Sequence, residues 1–357
     1  MNTSKKLLTI AIPTYNRSVF LDKLLKNLSK EMPTIYEYVH IIISNNSSTD
    51  DTCSVINNYK TLIPNLIIIN NIENLGSDEN FARCFDLSNS KYFWLFSDDD
   101  IFQLNSIIKI VSLLIEKNPD FIYIKSKWLN ETTSNEYFDG ELNYYEFSNN
   151  EEFSSLVNTW LGFISGCIIN KEKLLNINDT FLTRQFQGTF LPQLSWTLNM
   201  VKYGETFIYI SNPLISATKQ NNDPLSFSIG IFGYLYPEIL KKVFSNNKKI
   251  QNKLIGMMVC NLFLSLLWRC DNKPFKKYIK NNSIPIEKKF DDFYNLNISW
   301  KMIKNNLGIS YYFILLAMPV NYLPRFISIF FVIIGKIIFL FLVNKILLTK
   351  YLCNYFK

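Results

Sequence analysis

Short apolar runs alternate with segments of helical periodicity along the first third of the chain. The runs LLTIAI, HIIIS, LIIIN and YFWLF are each bounded by polar residues, as is typical of buried strands. After the first run, apolar residues recur at helical spacing, at Val19, Leu21, Leu24, Leu25 and Leu28. Strands that alternate with helices predict a mostly parallel sheet flanked by helices, which is a Rossmann-like α/β fold.

A polar cluster follows each of the four predicted strands. In chain order the clusters are PTYNR, NNSSTDD, ENLGS and DDD. In open α/β sheets, ligands bind beyond the carboxyl ends of the strands. We therefore expect the four clusters to converge on one crevice.

The pattern changes along the rest of the chain. A helix over 104–116, the strand FIYIK and a polar, aromatic segment over 127–160 precede another strand and helix over 161–175. From about 225 to 310 the chain reads as helical, and the remainder is strongly apolar. We expect three parts, 1–222, 223–308 and 309–357.

Composition narrows the class of protein. Apolar residues make up 48% of the chain and aromatic residues 15%, with only 11 glycines and 12 prolines, so a packed core is expected. Six cysteines show no metal-ligand spacing and read as reduced cytosolic thiols. The single histidine, His40, has no partner with which to form a triad or metal cluster, and we expect it to be structural.

Net charge and the first residues bear on partners and compartment. The chain carries a formal charge of +7. Its first 220 residues contain no basic stripe interleaved with aromatics, so nucleic acid is not expected as a partner. The start MNTSKKLLTI lacks the features of a signal peptide, which predicts that the N-terminal part stays in the cytoplasm.

The fourth cluster places three like charges side by side, at Asp98, Asp99 and Asp100. Mg²⁺ and Mn²⁺ prefer oxygen ligands from one or two carboxylates together with phosphates. A divalent cation there would neutralise charge on a departing diphosphate. The alternative is an aspartate cluster that only caps the following helix.

Five pieces in order carry a resemblance to a known family. They are IPTYNR, SNNSSTDDT, NLGSDENFARC, YFWLFSDDD and GCIINKEKL. Over roughly 7–220 the chain resembles family 2 glycosyltransferases of the GT-A fold, and among them the transferases that build bacterial O-antigen or capsule repeats. The resemblance implies a nucleotide-sugar-binding catalytic domain over 1–222.

The resemblance also implies roles for the carboxylates. Asp100 would bind the divalent cation, Mg²⁺ or Mn²⁺, and Asp98 would face the ribose or share the metal. Asp99 would support these ligands or cap a helix.

Further residues resemble the nucleotide-binding positions of the family. Pro13, Tyr15 and Arg17 match the first loop, where the aromatic packs near the base and the arginine pairs with phosphate. Asn45 stands where most relatives have a base-binding Asp. That departure leaves UDP, GDP, CDP and dTDP donors open, because an amide both donates and accepts.

A second group of positions matches the loop and helix that approach the donor. Asn74 and Gly76 resemble the loop, and Asn80 and Arg83 fall on the helix that follows. Arg83 is placed either at the sugar or diphosphate or on a solvated face of that helix.

The expected catalytic base is missing. Relatives carry an acidic base about eleven residues before a glycine, and counting back from Gly204 reaches Gln193, which is not a useful proton acceptor at neutral pH. We expect the base from elsewhere, with Asp179 first and Glu205 second, or a different activation of the acceptor hydroxyl. Asp179 and Glu205 also have an ordinary reading as loop or capping residues.

The apolar tail predicts membrane association. Residues 326–343 are interrupted only by Ser328, Gly335 and Lys336, a length marginal for spanning a bilayer. Because a mid-span lysine is costly in lipid, we favour peripheral or monotopic attachment to lipid at the cytoplasmic face of the inner membrane. A true span and a buried helical hairpin are the alternatives.

The resemblance implies an inverting hexosyl- or deoxyhexosyltransferase. It would move a sugar from a nucleotide-sugar donor to a lipid-linked saccharide in O-antigen, capsule or lipopolysaccharide synthesis. One rival is a sugar nucleotidyltransferase, although IPTYNRS lacks the Gly-rich loop of that class. The other is a non-catalytic membrane-bound assembly protein on a degenerate transferase fold.

Overall fold

A computed structural model describes residues 6–129, 137–177, 182–218, 231–259 and 305. The chain divides into two compact units, Met1–Asn221 and Asn222–Lys357. The first unit contains the sheet.

Nine strands of the described first unit form one sheet in the order β3-β2-β1-β4-β8-β6-β9-β5, and β7 also pairs with β9. The strands are β1 (Leu8–Thr14), β2 (Val39–Asn45), β3 (Leu66–Asn70), β4 (Tyr92–Leu95), β5 (Ile101–Phe102), β6 (Phe121–Leu129), β7 (Tyr144–Phe147), β8 (Cys167–Asn170) and β9 (Phe207–Thr218).

The predicted α/β arrangement is confirmed, but the sheet is mixed rather than mostly parallel. Strands β3, β2, β1 and β4 run parallel, as do β6 and β9. Strand β8 enters between β4 and β6 from the opposite edge and is antiparallel to both, while β5 and β7 are antiparallel to β9. The chain enters β8 through two 3-10 turns, Asn158–Gly162 and Ile164–Gly166, so the direction of β8 is not constrained as in a βαβ unit.

Seven α-helices of the described first unit flank this sheet. They are α1 (Ser18–Ile35), α2 (Thr52–Tyr59), α3 (Ser77–Leu87), α4 (Ser106–Lys117), α5 (Asn150–Val157), α6 (Lys171–Leu175) and α7 (Leu194–Tyr203). All seven residues of β1 are buried, because helices cover both faces of the sheet. Burial on both faces explains why the central strands read as continuous apolar runs instead of alternating ones.

Aromatic side chains clamp β4 from both faces of the sheet. On one face Trp94 meets Phe102 edge to face, with ring centroids 5.1 Å apart. On the other, Phe93 meets Trp196 of α7 at 5.5 Å. Aromatic pairs of this kind contribute about 0.5–1.5 kcal/mol beyond their area burial. The residues that follow β4 are therefore held by a rigid strand.

The described part of the second unit is helical. It contains a π-helical turn (Ile231–Leu235), α8 (Tyr236–Val243) and α9 (Lys248–Met258). The Gln251 side chain donates to the carbonyl of Phe244 at 2.7 Å, which satisfies the end of α8. The predicted membrane-associating segment 309–357 lies outside the described residues. Within the described ranges, no helix is both long and apolar enough to cross a membrane.

Candidate active site

The three carboxylates sit at the carboxyl end of β4 and are deeply buried. Asp98, Asp99 and Asp100 expose 4%, 6% and 3% of their surface and lead directly into β5. Burying a carboxylate is costly unless it is paired or hydrogen-bonded. The partners of each aspartate therefore indicate what it does.

Arg17 pairs with two of the three carboxylates. Its Nη1 lies 3.3 Å from Asp98 Oδ1 and 2.8 Å from Asp99 Oδ2. Asp99 also accepts a hydrogen bond from the Ser97 hydroxyl. Arg17, which the resemblance pairs with a phosphate, lies against the carboxylates in this structure.

Asp100 is held differently. Its Oδ1 accepts from the backbone N–H of Thr218 at 3.2 Å, whereas its Oδ2 is buried without a hydrogen-bond partner. Burial and then the charge on Asp99 raise the pKa of Asp100 to about 7. Burial likewise raises the pKa of Asp98 to about 7, against the opposing charge of Arg17. An unpartnered, buried carboxylate oxygen fits the donor chemistry of a divalent cation.

A cation here would need ligands from outside the protein. Among the described residues, no group of three or more His, Cys, Asp or Glu side chains is arranged to hold a metal ion on its own. Mg²⁺ commonly binds through one or two carboxylates and completes its shell with water and substrate phosphates. The arrangement therefore fits a metal shared with a phosphate-bearing ligand.

Two residues that sequence reasoning missed support the carboxylates. The Ser165 hydroxyl accepts from the backbone N–H of Ser97 at 2.9 Å, and its carbonyl accepts from Trp94 Nε1 at 2.7 Å. The Thr218 hydroxyl donates to the carbonyl of Asp99 at 2.8 Å. Both lie far from the triplet in sequence, so local patterns do not reveal them.

Close packing fixes the segment that carries Ser165. A Cβ added at Gly166 would lie 2.9 Å from side-chain atoms of both Phe163 and Tyr123 and 3.2 Å from the carbonyl oxygen of Ile124. Any larger residue at this position would force these neighbours to shift. The motif GCIIN includes Gly166 for this packing reason.

The first loop is tied to the loop after β2. Asn16 has a left-handed φ of 51°, and its Oδ1 accepts from the N–H of Thr49 at 2.7 Å. The backbone N–H of Ser18 donates to Asp50 Oδ2 at 3.0 Å. Although burial opposes the shift, the hydrogen bonds to Asp50 lower its pKa to about 2. The charged carboxylate thus fixes the start of α1, immediately after Arg17.

Pro13 and Tyr15 lie at the end of β1. Pro13 is beyond the last β1–β4 pair, at Ala11 and Leu95, where its missing N–H costs no hydrogen bond to β4. The Tyr15 side chain is exposed. It is thus open to a ligand in the crevice.

Asn45 is engaged in the protein interior. Its Nδ2 donates to Cys53 Sγ and to Asn70 Oδ1, both at 3.2 Å, and its Oδ1 accepts from the N–H of Ser48 at 3.1 Å. A carboxylate in its place could not donate to Asn70 Oδ1. The amide therefore matches its surroundings, which explains the departure from the usual aspartate.

Asn46, which the sequence reasoning did not single out, organises the third loop. Its Nδ2 donates to Asn74 Oδ1 at 2.7 Å and its Oδ1 accepts from the N–H of Leu75 at 3.0 Å. Asn74 Oδ1 also accepts from the N–H of Gly76, whose φ of 81° suits glycine. A Cβ on Gly76 would meet nothing within 4 Å, so this loop faces open space.

Helix α3 places Asn80 and Arg83 below this loop. Asn80 is buried and accepts from the Ser44 hydroxyl at 2.6 Å, so it anchors α3 to the end of β2. Arg83 is partly exposed, and its Nε is buried without a hydrogen-bond partner. That nitrogen is a second orphan polar atom on the elements that carry the site.

Gln193 lies at the start of α7, on the carboxylate side of the sheet. Its Nε2 donates to the carbonyl of Gly162 at 2.8 Å, and its Oε1 is buried without a partner. Gly162 lies three residues before Ser165, which contacts the end of β4. The structure therefore brings Gln193 next to the segment that supports the triplet.

The other two candidates for the base are not brought together with the triplet. Glu205 is exposed, its Oε2 lies 3.4 Å from Lys173 Nζ, and its backbone N–H binds Asp120. Asp120 precedes β6, at the edge where β4 begins rather than ends. Glu205 is thus at the wrong edge of the sheet for a base. Asp179 lies outside the described residues.

Comparisons with known proteins find similar glycosyltransferases. A model of Glycosyl transferase family 2 matches residues 9–175. The abequosyltransferase RfbV of Salmonella typhimurium is 26% identical over 318 residues, which cover 84% of this chain and 79% of that protein. The uncharacterized glycosyltransferase MG060 of Mycoplasma genitalium is 30% identical over 103 residues, 28% of this chain and 34% of that protein.

Solved structures share the fold. S. aureus TarS 1–349 in complex with UDP-GlcNAc has a TM-score of 0.54 at 16% identity, over 76% of this chain and 78% of that one. The mannosyltransferase PcManGT from Pyrobaculum calidifontis in complex with GDP-Man and Mn²⁺ has a TM-score of 0.50 at 10% identity, over 87% of each chain.

The family match spans the first loop, the amide network and the carboxylate triplet. The long alignment with a curated transferase extends well beyond that domain. Residues 9–175 therefore match the family 2 glycosyltransferases, and the chain is similar to a glycosyltransferase over most of its length.

Proposed function

We propose that this glycosyltransferase moves a hexosyl or deoxyhexosyl group from a nucleotide-sugar donor to a lipid-linked saccharide, with inversion at the anomeric carbon. The similar abequosyltransferase and the resemblance to O-antigen and capsule transferases support a role in bacterial surface polysaccharide synthesis. Structural neighbours that were solved with UDP-GlcNAc or GDP-Man support a nucleotide-sugar donor.

One observation carries this proposal. The buried Asp100 keeps an unpartnered oxygen at the carboxyl end of β4. Asp100, with Asp98 beside it, would hold Mg²⁺ or Mn²⁺. When bound, the cation would neutralise the charge that develops on the diphosphate.

The remaining residues would bind and orient the substrates. Tyr15 would form an exposed rim for the base next to the buried Pro13, and Asn45 would shape the floor beneath it without adding charge. Asn74 and Gly76 let backbone approach the donor, and Arg83 would reach the sugar or diphosphate.

The acceptor side of the site is less complete. Gln193 is locked by Gly162, so its Oε1 would orient an acceptor hydroxyl by accepting its hydrogen bond. It does not remove the proton, since an amide is not a useful base. Asp179 remains our proposed base.

We also propose that the enzyme works at the cytoplasmic face of the inner membrane. Residues 1–222 would form the catalytic domain, 223–308 a helical region and 309–357 the peripheral or monotopic attachment to lipid. Deleting 309–357 and fractionating cells tests the attachment, because unchanged membrane recovery contradicts it.

A donor panel tests the reaction. Purified enzyme is given UDP-, GDP-, CDP- and dTDP-sugars with Mn²⁺, and release of the nucleoside diphosphate is measured. We expect turnover with one class of donor and its loss in Asp100→Asn. Glu116→Gln, which removes an exposed carboxylate on α4, is the matched control. If no donor binds and Asp100→Asn changes nothing, the proposal fails.

A further inference from the structure

Arg17 divides the carboxylate triplet into two unequal parts. Its guanidinium contacts Asp98 and Asp99, while the Oδ2 of Asp100 has no hydrogen-bond partner. A single positive charge therefore lies beside two buried negative charges. The third carboxylate is held from the other side, by the backbone N–H of Thr218 and the side chain of Ser165.

The contact is built in a way that permits exchange. Both carboxylates are reached by the same nitrogen, Nη1, rather than by the two-pronged geometry that makes Arg–carboxylate pairs strong. The Arg17 side chain keeps 36% of its surface exposed, whereas those of Asp98 and Asp99 keep 5% and 7%. The arginine is therefore more exposed to solvent than the two carboxylates and has room to move.

The backbone of Arg17 is nonetheless fixed. The residue before it is bound to Thr49, and the residue after it is bound to Asp50. A fixed backbone with a partly exposed side chain confines the guanidinium to a small arc above the triplet. Any anion that binds beside the carboxylates would lie within reach of that arc.

We propose that Arg17 is an exchangeable counter-ion for the triplet. It neutralises Asp98 and Asp99 until a divalent cation arrives with a nucleoside diphosphate, and it then moves to the diphosphate. The inference rests on the proposed function, since it concerns the same donor. It makes metal and diphosphate binding mutually dependent through one side chain.

Electrostatics predicts that the metal and the diphosphate strengthen each other's binding. A guanidinium and a divalent cation repel each other strongly when they share a partly buried site. The cation alone must compete with Arg17, whereas the cation with a diphosphate offers Arg17 a new partner. By linkage, each ligand then strengthens the binding of the other by the same factor.

Binding of Mn²⁺ alone tests the exchange directly. Electron paramagnetic resonance measures free Mn²⁺ at pH 8 in the wild type and in Arg17→Met. Arg17→Lys keeps the charge, and Lys26→Met removes an exposed charge from the same helix as a control. We expect Arg17→Met to bind Mn²⁺ at least 10-fold more tightly than the wild type, and both other variants to stay within about three-fold of it.

Diphosphate binding completes the test. UDP, GDP, CDP and dTDP are titrated calorimetrically with and without Mn²⁺. We expect Mn²⁺ to strengthen the binding of the preferred diphosphate in the wild type by at least 10-fold, and this factor to shrink in Arg17→Met. Arg17→Gln, which keeps a hydrogen-bond donor without charge, replaces Arg17→Met if that variant does not fold.

The outcomes separate the two proposals. If the wild type binds a diphosphate with Mn²⁺ but Arg17→Met and Arg17→Gln gain no affinity for Mn²⁺ alone, Arg17 is a permanent ion pair and the exchange is wrong. If the wild type binds no diphosphate under any condition, the proposed function fails and the exchange fails with it.

Discussion

Asp100 lies at the carboxyl end of β4, and Asp120 lies near the end where β4 begins. The two aspartates are equally buried but differ in their partners. Asp120 exposes 4% of its surface and Asp100 exposes 3%. Asp120 Oδ2 accepts from Lys173 Nζ at 2.7 Å and from two backbone N–H groups, those of Glu205 at 2.7 Å and Thr206 at 3.1 Å. Asp100 has one backbone donor, Thr218, and a hydrogen bond with the Ser165 side chain, and its Oδ2 is left without a hydrogen-bond partner.

The difference in partners reverses the pKa shift. Burial raises the pKa of both groups, but at Asp120 the hydrogen bonds and the charge of Lys173 outweigh it, so the pKa of Asp120 falls. At Asp100 burial wins and the pKa rises to about 7. A satisfied buried carboxylate stabilises the fold, whereas an unsatisfied one is kept at a cost to stability and indicates a binding role.

The largest expected effect is on catalysis and comes from a substitution at the carboxyl end of β4. Asp100→Asn keeps the shape of the side chain but removes the charge that a cation needs. We expect kcat/KM to fall by at least 10³-fold, which is about 4 kcal/mol in activation free energy. We expect the free energy of unfolding in metal-free buffer to be unchanged or raised, because a buried charge has been removed. A clear loss of stability would show that Asp100 is structural and break the contrast.

The next largest expected effect is on stability and comes from a substitution near the start of β4. Asp120→Asn leaves Lys173 without its charged partner and weakens two backbone hydrogen bonds. We expect a loss of about 1–3 kcal/mol in the free energy of unfolding, measured by urea denaturation. The catalytic rate of the folded fraction should change by less than three-fold. If activity falls as far as in Asp100→Asn, Asp120 is not purely structural and the contrast with Asp100 is wrong.

A smaller effect concerns pH. Asp98 and Asp100 have folded pKa values near 7 against an unfolded value of about 4, so between these pH values the folded state binds more protons. Stability from these groups therefore falls as pH rises from about 4 to 7 and then levels off. Asp120 has the opposite sign, and its contribution is lost only as pH falls through its lowered folded pKa.

Urea unfolding in EDTA at pH 5.5 and 8 measures this pH effect. We expect the wild type to lose more stability than Asp100→Asn between the two values. Equal losses in both proteins would mean that Asp100 is not a source of the pH dependence.

The smallest expected effect is at Glu205. Glu205→Gln removes an exposed carboxylate beside Asp120. We expect kcat and KM to stay within two-fold of the wild type. The donor assay measures both. A large fall in kcat would mean that Glu205 reaches the reaction after all.

Glu205 shows why spacing along the chain misleads. Gln193 and Glu205 flank the ten-residue helix α7, which is about 15 Å long. The helix begins on the carboxylate side of the sheet and carries the chain to the other edge. Counting back from Gly204 therefore reaches Gln193, on the carboxylate side of the sheet. Glu205, which follows the end of α7, lies on the other side.

Other parts of the molecule were predictable for physical reasons. The central strands are buried on both faces, so their apolar runs stand out, and Asp98–Asp100 had to lie at a strand end. The partners of Arg17 were not predictable, because they depend on how two loops meet across more than 80 residues of sequence. Thr218 and Ser165 were missed for the same reason.

Gly166 has a consequence for genetics. No Cβ fits between Phe163 and Tyr123 at this position, and the neighbouring Ser165 supports the end of β4. In a saturation-mutagenesis screen for loss of activity, even alanine at Gly166 would score with the substitutions at Asp100. Such a screen would outline the active site too broadly, because it would include a residue whose contribution is the space it leaves empty.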